Sequence, residues 1–198
     1  MMASEMKGLS LRNYPIVLAA IRGQDVADQM MALLRDKLRH DLETGLIVSS
    51  SWYPVAWKCE MHQAGRRVTG EPRLARLMGN EMTKRDLNGV YRAFLRLASP
   101  AMVLGASARI FSRYLRPGKM SVMDQGNGFV RVLFERCPGF DENMWNDVLG
   151  GCEAALELTG VRIVRVHVEQ GGQDGDEATI ATVAWTNEKN ASAADSER

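Results

Sequence analysis

With 198 residues and a mass of 22.0 kDa, the chain is large enough for one domain with a substantial core, and its 45% hydrophobic and 25% charged residues are the ordinary composition of a globular protein. The net charge of +1 gives no reason to expect nucleic acid or an anionic membrane as a partner. The longest apolar run, "IVLAAI", is far shorter than the roughly 20 residues of a membrane span, and the N-terminus lacks the apolar core of a secretory signal.

The first half of the sequence predicts helices. After an ambiguous opening segment, "EMKGLSL", the segment "NYPIVLAAIRG" is typical of a short helix with Pro15 in its first turn and Gly23 at its end. Apolar residues at three- and four-residue spacing then predict one amphipathic helix over 24–39. A loop is predicted over 44–54, and further helices are predicted after Pro54, over 72–87, over 88–98 and over 99–115, the last with Ser99 as its N-cap.

After Pro117 the apolar period changes from that of a helix to that of a strand. "KMSVMD" and "GFVRVLFER" alternate, and "QGNG" between them predicts a hairpin. A helix over 141–160 follows, with Asp141 as N-cap and Gly160 as stop, and then two more strands, "VRIVRVHVEQ" and "EATIATVAWT". The predicted fold class is α+β, an N-terminal helical half followed by a ββαββ unit with a small antiparallel sheet. A single domain is predicted over 1–186, with a disordered polar tail over 187–198.

The element order and several phrases resemble a known group of proteins. The phrases are "MKGLSL", "WYP", "NGVYRAFLRLASP", "IFSRYLRPGKMSV", "LGGCEAALELTGVRIVRVHV" and "GDEATIATVAW", which together cover about residues 6–185. They are similar to a little-characterised, mostly myxobacterial family related to the heme-NO-binding and 4-vinyl-reductase ligand-binding domains, and more distantly to the TRAPP vesicle-tethering subunits. The resemblance implies a ligand pocket between the helical half and the sheet, and it implies no shared reaction.

Heme is the cofactor that this resemblance suggests, and the residues argue against it. In the heme-NO-binding relatives, a histidine on the helix before the final sheet coordinates the heme iron, and a Tyr-x-Ser-x-Arg motif binds the heme propionates. The corresponding segment here, 99–115, has no histidine, and Tyr114-Leu115-Arg116 departs from the motif. A heme iron without an axial donor has no anchor, so no heme is expected. The 4-vinyl-reductase relatives carry cysteines in their closing strands, and 169–185 has none.

Cys59-x-x-His62 is half of a zinc-ligand set. Helical spacing can put both side chains on one face, but tetrahedral zinc needs about two more protein ligands. The remaining candidates form no second close pair: they are Cys137, Cys152, His40 and His167. We interpret the motif as a packed corner and predict neither a metal nor another cofactor.

Aromatic residues cluster just before and within the predicted helix after Pro54. Trp52, Tyr53 and Trp57 either close the core over a loop or line one wall of an apolar ligand pocket, and the two readings overlap. The predicted pocket wall consists of Trp52, Tyr53, Trp57, His62, Phe111 and Tyr114.

Positive charge is concentrated in the middle of the chain. Residues 65–120 carry 12 Lys or Arg against 3 Asp or Glu, a net charge of +9. Such a run is usually a solvated helix face; the alternative is a face for an anionic ligand or an acidic partner. Nucleic acid is not predicted, because no reader motif accompanies the charge.

No nucleophile–base signature is present, so an enzyme is not predicted. The sequence favours a non-catalytic ligand-binding or sensory module that takes a small apolar or amphipathic molecule and signals through a separate partner. The alternative is a protein-interaction or scaffold module with a filled core, acting as a homodimer or adaptor. A homodimer is favoured because the helix over 143–159 is apolar on two sides and contains Gly150-Gly151. Three widely spaced cysteines indicate reduced thiols and a cytoplasmic location.

Overall fold

The structure is a computed structural model that describes residues 4–87 and 95–187. The first half contains two short strands and five helices: β1 (Glu5–Lys7), α1 (Gly8–Arg22), α2 (Gln24–Ala32), α3 (Asp36–Glu43), β2 (Trp52–Pro54), α4 (Val55–Thr69) and α5 (Leu74–Asp86). The second half contains α6 (Pro100–Tyr114), β3 (Leu115–Arg116), β4 (Lys119–Gly126), β5 (Phe129–Glu135), α7 (Glu142–Glu157), β6 (Val161–Gly171) and β7 (Thr179–Asn187).

Two antiparallel sheets organise the described residues. The larger has the strand order β4-β5-β7-β6, and the smaller has the order β2-β1-β3. Along β5 the residues Val130, Val132 and Phe134 are buried, and those between them are half-buried, as expected of a strand with one face on the core. The predicted α+β fold, with a helical half before a ββαββ unit, is confirmed.

The packing of α5 on α7 is unusually close because glycines face the opposing backbone. A Cβ added at Gly79 would lie 1.9 Å from the carbonyl oxygen of Asp147, and one added at Gly150 would lie 2.1 Å from that of Arg76. Arg76 and Glu153 join the two helices through a two-bond ion pair at 2.8 and 3.0 Å.

Both apolar stripes of α7 are buried within the chain, with Met144 and Cys152 on one side and Trp145, Leu149 and Leu156 on the other. The close approach expected at Gly150 is therefore made to α5 of the same chain. This removes the structural reason for a homodimer through α7.

Three local predictions were wrong. Pro15 lies in the middle of α1, because the helix begins at Gly8, directly after β1. The helix predicted over 24–39 is two helices, α2 and α3, which are separated at residues 33–35; at this break the backbone N–H of Arg35 donates to the Glu60 carboxylate at 2.6 Å. The loop predicted over 44–54 ends in β2, which pairs with β1.

The helical ends predicted from capping residues are confirmed. Ser99 and Asp141 accept the backbone N–H groups of Met102 and Met144, three residues further on. The predicted helix over 88–98 lies largely outside the described residues, and the predicted tail does so beyond Asn187. In the part of the chain that the structure describes, no helix has the length and apolar character needed to span a membrane.

Candidate functional site

Four polar side chains, three of them buried and that of Asp147 half-buried, meet where α1, α4 and α7 come together. Tyr14 belongs to α1, Lys58 and His62 lie one turn apart on α4, and Asp147 belongs to α7. The α4 pair occupies core positions of its helix, because Val55, Lys58, His62 and Gly65 follow the three- and four-residue spacing of its buried face. We call Tyr14, Lys58, His62 and Asp147 the buried network.

His62 stands at the centre of the buried network. Its Nδ1 lies 3.2 Å from the Tyr14 hydroxyl, and its Nε2 lies 3.3 Å from Asp147 Oδ1. The carboxylate contact favours the tautomer with the proton on Nε2, so that Nδ1 accepts from Tyr14. The Nε2 contact lacks the alignment of a hydrogen bond and is mainly electrostatic.

Lys58 has no solvent exposure at all. Its Nζ lies 3.5 Å from Asp147 Oδ1, 3.1 Å from the Ser10 hydroxyl and 3.2 Å from the Met82 sulfur. The ammonium also lies 4.8 Å from the centre of the Tyr14 ring, which adds a cation–π contact. Burial lowers the pKa of Lys58, although the Asp147 charge opposes that shift.

Burial and the ion pair move the other titratable groups in different directions. Burial lowers the pKa of His62, against the opposing effect of Asp147, so the neutral imidazole is favoured. For Asp147, burial alone would raise the pKa, but the Lys58 charge and the His62 contacts bring it below its usual range. Burial raises the pKa of Tyr14, and the Asp147 charge adds to this. The stable arrangement is a neutral His62 beside an ionised Asp147.

The opposite side of α4 borders an open cleft of about 750 Å³. We call it the α4 cleft; its lining residues are Leu33, Arg35, Ala56, Cys59, Glu60, Gln63, Gly139 and Asp141. Arg35 forms an ion pair with Glu60, and Gln63 Nε2 donates to Asp141 Oδ2 at 3.1 Å. The cleft is therefore floored by α4 and flanked by the α2–α3 connection and the segment before α7.

Cys59 and His62 do not act together. The Cys59 thiol faces the α4 cleft and the carbonyl oxygen of Gly139, 3.8 Å away, whereas His62 faces Tyr14 and Asp147. Burial, with the nearby Asp141 charge, raises the pKa of Cys59 to about 12, so the thiol stays protonated at neutral pH. Across the described residues no three His, Cys, Asp or Glu side chains are grouped so as to hold a metal ion.

The six residues predicted as a pocket wall lie in separate surroundings. Trp57 is buried with its ring 5.5 Å from that of Tyr53, and Trp52 lies under the cations of Lys7 and Arg116. His62 belongs to the buried network. On α6, Phe111 packs 5.3 Å from Phe134, and Tyr114 is exposed. None of the six lines the α4 cleft, so their role as one pocket wall stays a prediction.

Sequence reasoning missed Lys58, Asp147 and Tyr14. A detectable signal existed for Lys58, because a lysine and a histidine one turn apart interrupt an otherwise apolar stripe of α4. The partner Asp147 carried no such signal, since its contact with α4 spans 85 or more positions of sequence.

Comparison with solved structures identifies the architecture. An H-NOX protein from K. algicida in the Fe(II) unliganded state superimposes with a TM-score of 0.69 at 12% identity, covering 92% of this chain and 98% of that one. This chain has the H-NOX fold. An H-NOX protein from S. oneidensis gives 0.69 at 12% identity over 93% and 98% of the chains. An oxygen-binding H-NOX domain related to soluble guanylate cyclases gives 0.65 at 13% over 92% and 96%. No protein-family model and no curated protein matches the chain by significant similarity.

The donors in this chain do not fit a heme. The helix before the final sheet, α6, has the sequence "PAMVLGASARIFSRY" and offers no imidazole or thiolate. Of the three histidines, His40 is exposed on α3, His167 is exposed on β6, and both nitrogens of His62 are engaged. We therefore assign no chemistry in this chain to heme.

Proposed function

We propose that this chain is a heme-independent, non-catalytic regulatory module of the H-NOX fold, which takes a small amphipathic molecule into the α4 cleft and signals through a separate partner. The observation that carries the proposal is the α4 cleft itself. Its volume of about 750 Å³ lies in the range of small-molecule sites, roughly 300–1,000 Å³.

The lining of the α4 cleft supports an amphipathic ligand. Leu33, Ala56 and Cys59 give it an apolar part, while Glu60, Gln63 and Asp141 contribute carboxylate and amide groups and Arg35, paired with Glu60, contributes one cation. A molecule with an apolar body and a protonated amine would match both parts. The buried network explains how occupancy would be transmitted, because α4 carries cleft residues on one side and Lys58 and His62 on the other.

Several finer assignments belong to the same proposal. We place the protein in the cytoplasm, in keeping with its three free, buried cysteines. We propose a single domain over 1–186 and a distant relationship to the 4-vinyl-reductase and TRAPP proteins, supported by the phrases quoted above. Neither an enzymatic activity nor a nucleic-acid partner is part of the proposal.

A fluorescence titration with dansylcadaverine, an amphipathic primary amine, tests the ligand site. Ala56→Trp fills the cleft from an exposed helix position and should weaken binding by about tenfold or more. Ala20→Trp makes the same change at an exposed position of α1 and should leave the affinity unchanged. Absence of saturable binding, or equal binding to both variants, would refute a ligand site in the α4 cleft.

The scaffold alternative remains a second candidate because of one observation. The solvent side of α6 exposes apolar residues, including Met102 and Ile110, which a protein partner would cover.

A further inference from the structure

The two sides of α6 differ sharply in their surroundings. Val103 and Leu104 are buried, and Phe111 packs on Phe134 of the sheet. Met102, Ala106, Ile110 and Tyr114 are exposed and recur at four-residue spacing, in a row that winds around α6 by about 40° per step. Met102 is 68% exposed and Ile110 is 47% exposed. These four residues form a continuous apolar stripe roughly 18 Å long, at 1.5 Å per residue.

Two arginines flank the stripe. Arg109 and Arg113 are exposed on the same side of α6, and neither forms an ion pair with any residue that the structure describes. The sequence from 87 to 123 contains no Asp or Glu and six Lys or Arg. Arg116 and Lys119 of this stretch are paired with Glu5 and Glu135, so the positive charge left beside the stripe is that of Arg109 and Arg113.

We propose that this surface docks an acidic amphipathic helix of a partner protein. We define the α6 face as Met102, Ala106, Arg109, Ile110, Arg113 and Tyr114. This proposal depends on the proposed function, because the α6 face would be the surface through which the regulatory module signals to its partner.

The shape of the α6 face fits one helix. Its stripe is one residue wide, and a partner helix with apolar residues at three- and four-residue spacing can pack along it. Ala106 is small, and Gly105 beside it has open space above, so a partner backbone can approach near the middle of the face. Acidic residues on the flanks of that helix would meet Arg109 and Arg113 in charge-assisted hydrogen bonds.

Other occupants fit less well. In a second copy, α6 against α6 would bring the arginines of both copies together. The segment 88–94 contains no acid, and 188–198 has acids but no apolar residue larger than alanine. A polybasic membrane anchor usually needs clusters of about 4–8 Lys or Arg, and the α6 face has two.

The test uses a designed, fluorescein-labelled peptide of roughly five helical turns with leucine on one face and glutamate on the others. A matched peptide carries lysine in place of every glutamate. Fluorescence anisotropy should show that the full chain binds the acidic peptide, that salt weakens the binding, and that the lysine peptide does not bind. Hydrogen exchange should slow on α6 when the acidic peptide is bound.

Variants assign the binding to the α6 face. Ile110→Asp should raise the Kd for the acidic peptide by about tenfold or more. The double change Arg109→Glu/Arg113→Glu should abolish binding of the acidic peptide and create binding of the lysine peptide. Ile16→Asp alters an α1 residue with the same 47% exposure, and Arg162→Glu alters an exposed arginine of β6. Both controls should bind the acidic peptide like the parent.

The alternatives have distinct outcomes, each of which would overturn the proposal. Binding to phosphatidylserine vesicles but not to the peptide would indicate a membrane surface. Light scattering that gives twice 22.0 kDa for the parent and 22.0 kDa for Ile110→Asp would indicate a second copy. Phe94→Ser removes an aromatic side chain from the segment 88–94. Peptide binding that appears only in this variant would indicate that this segment of the chain covers the α6 face. The dansylcadaverine titration tests the α4 cleft and does not involve the α6 face. A failure of the proposed ligand site can therefore be distinguished from a failure of the proposed docking surface.

Discussion

Lys58 is a fully buried cation whose charge is compensated by the Asp147 carboxylate, 3.5 Å away. Removing an ammonium from water costs several kcal/mol, and a single counter-ion offsets this only when further polar contacts complete its coordination. Ser10, the Met82 sulfur and the Tyr14 ring provide those contacts. The pair therefore makes the packing of α1, α4 and α7 depend on one carboxylate.

We predict that Asp147→Ala lowers the free energy of unfolding by about 3–5 kcal/mol, because it leaves Lys58 charged and buried without a counter-ion. The double variant Lys58→Met/Asp147→Leu should recover most of that loss, since an apolar pair leaves no unpaired charge. Urea unfolding of both variants and of the single variants Lys58→Met and Asp147→Leu measures the coupling. Additive losses across the double-mutant cycle would show that the two charges do not interact.

A second residue-scale prediction concerns pH. Because burial holds the pKa of His62 below its ordinary value of about 6.5, the unfolded chain takes up a proton there before the folded chain does. The contribution of neutral His62 is present above that pH and is lost as the pH falls. The free energy of unfolding should fall as the pH drops below about 6.5, by at most about 1.4 kcal/mol per pH unit.

Ionised Asp147 contributes to the free energy of unfolding down to a lower pH than neutral His62 does, because the pKa of Asp147 is held below its ordinary value of about 3.9. Urea unfolding at several pH values should show a flatter profile for His62→Gln than for the parent. An unchanged slope in His62→Gln would mean that other groups cause the acid sensitivity.

At the scale of elements, the contact between α5 and α7 brings Asp147 to the buried network. Gly79 lies against the backbone of Asp147 itself, and α7 can approach α5 this closely because Gly79 has no side chain. Any side chain at Gly79 or Gly150 must push the two backbones apart, since the atoms in the way are main-chain carbonyls.

We predict that Gly79→Ala and Gly150→Ala each destabilise the fold by about 1–3 kcal/mol, although alanine favours a helix. The matched control is Gly105→Ala on α6, where an added Cβ meets nothing within 4 Å and stabilisation by about 0.5–1 kcal/mol is expected. Thermal melting compares the three. If all three variants have a higher melting temperature than the parent, α5 and α7 can move apart without loss of stability.

Most element types could be predicted from the sequence because their signals are local. Ser99 and Asp141 cap helices through groups three residues away, and the alternation in β5 reports directly which residues are buried. The split between α2 and α3 could not be predicted from periodicity, and the hydrogen bond found at the break joins Arg35 to a carboxylate of α4, 25 residues away. Periodicity alone cannot detect such a distant hydrogen bond.

The candidate site was less accessible to sequence reasoning for the same physical reason. The sequence predicts that His62 lies in a packed corner and in a pocket wall, but the side chains that determine its behaviour come from α1 and α7. The large aromatic residues favour the prediction of a pocket wall, yet the α4 cleft is lined mainly by small and charged side chains. Neither Ala56 nor Gln63 has a pattern that distinguishes it from any other exposed helix position.

At the scale of the whole molecule, the chain keeps the H-NOX fold over 92–93% of its length while lacking a heme-iron donor on α6. His62 is the only buried histidine of the three, and it could ligate an iron only by giving up its contact with Tyr14 or its contact with Asp147. Its neutral state would suit a metal, but its nitrogens already have partners at 3.2 and 3.3 Å.

We therefore predict that the purified protein shows no Soret absorption after incubation with hemin and gel filtration. The H-NOX protein from K. algicida, treated in parallel, is the positive control for the procedure. His62→Ala separates the two possible explanations of any absorption in this chain. Absorption that is lost in His62→Ala would mean that the buried network opens to ligate iron, and absorption that persists in it would mean a donor elsewhere. Heme retained at near one per chain would contradict heme independence, because a donor set that we judge unsuitable would then be sufficient.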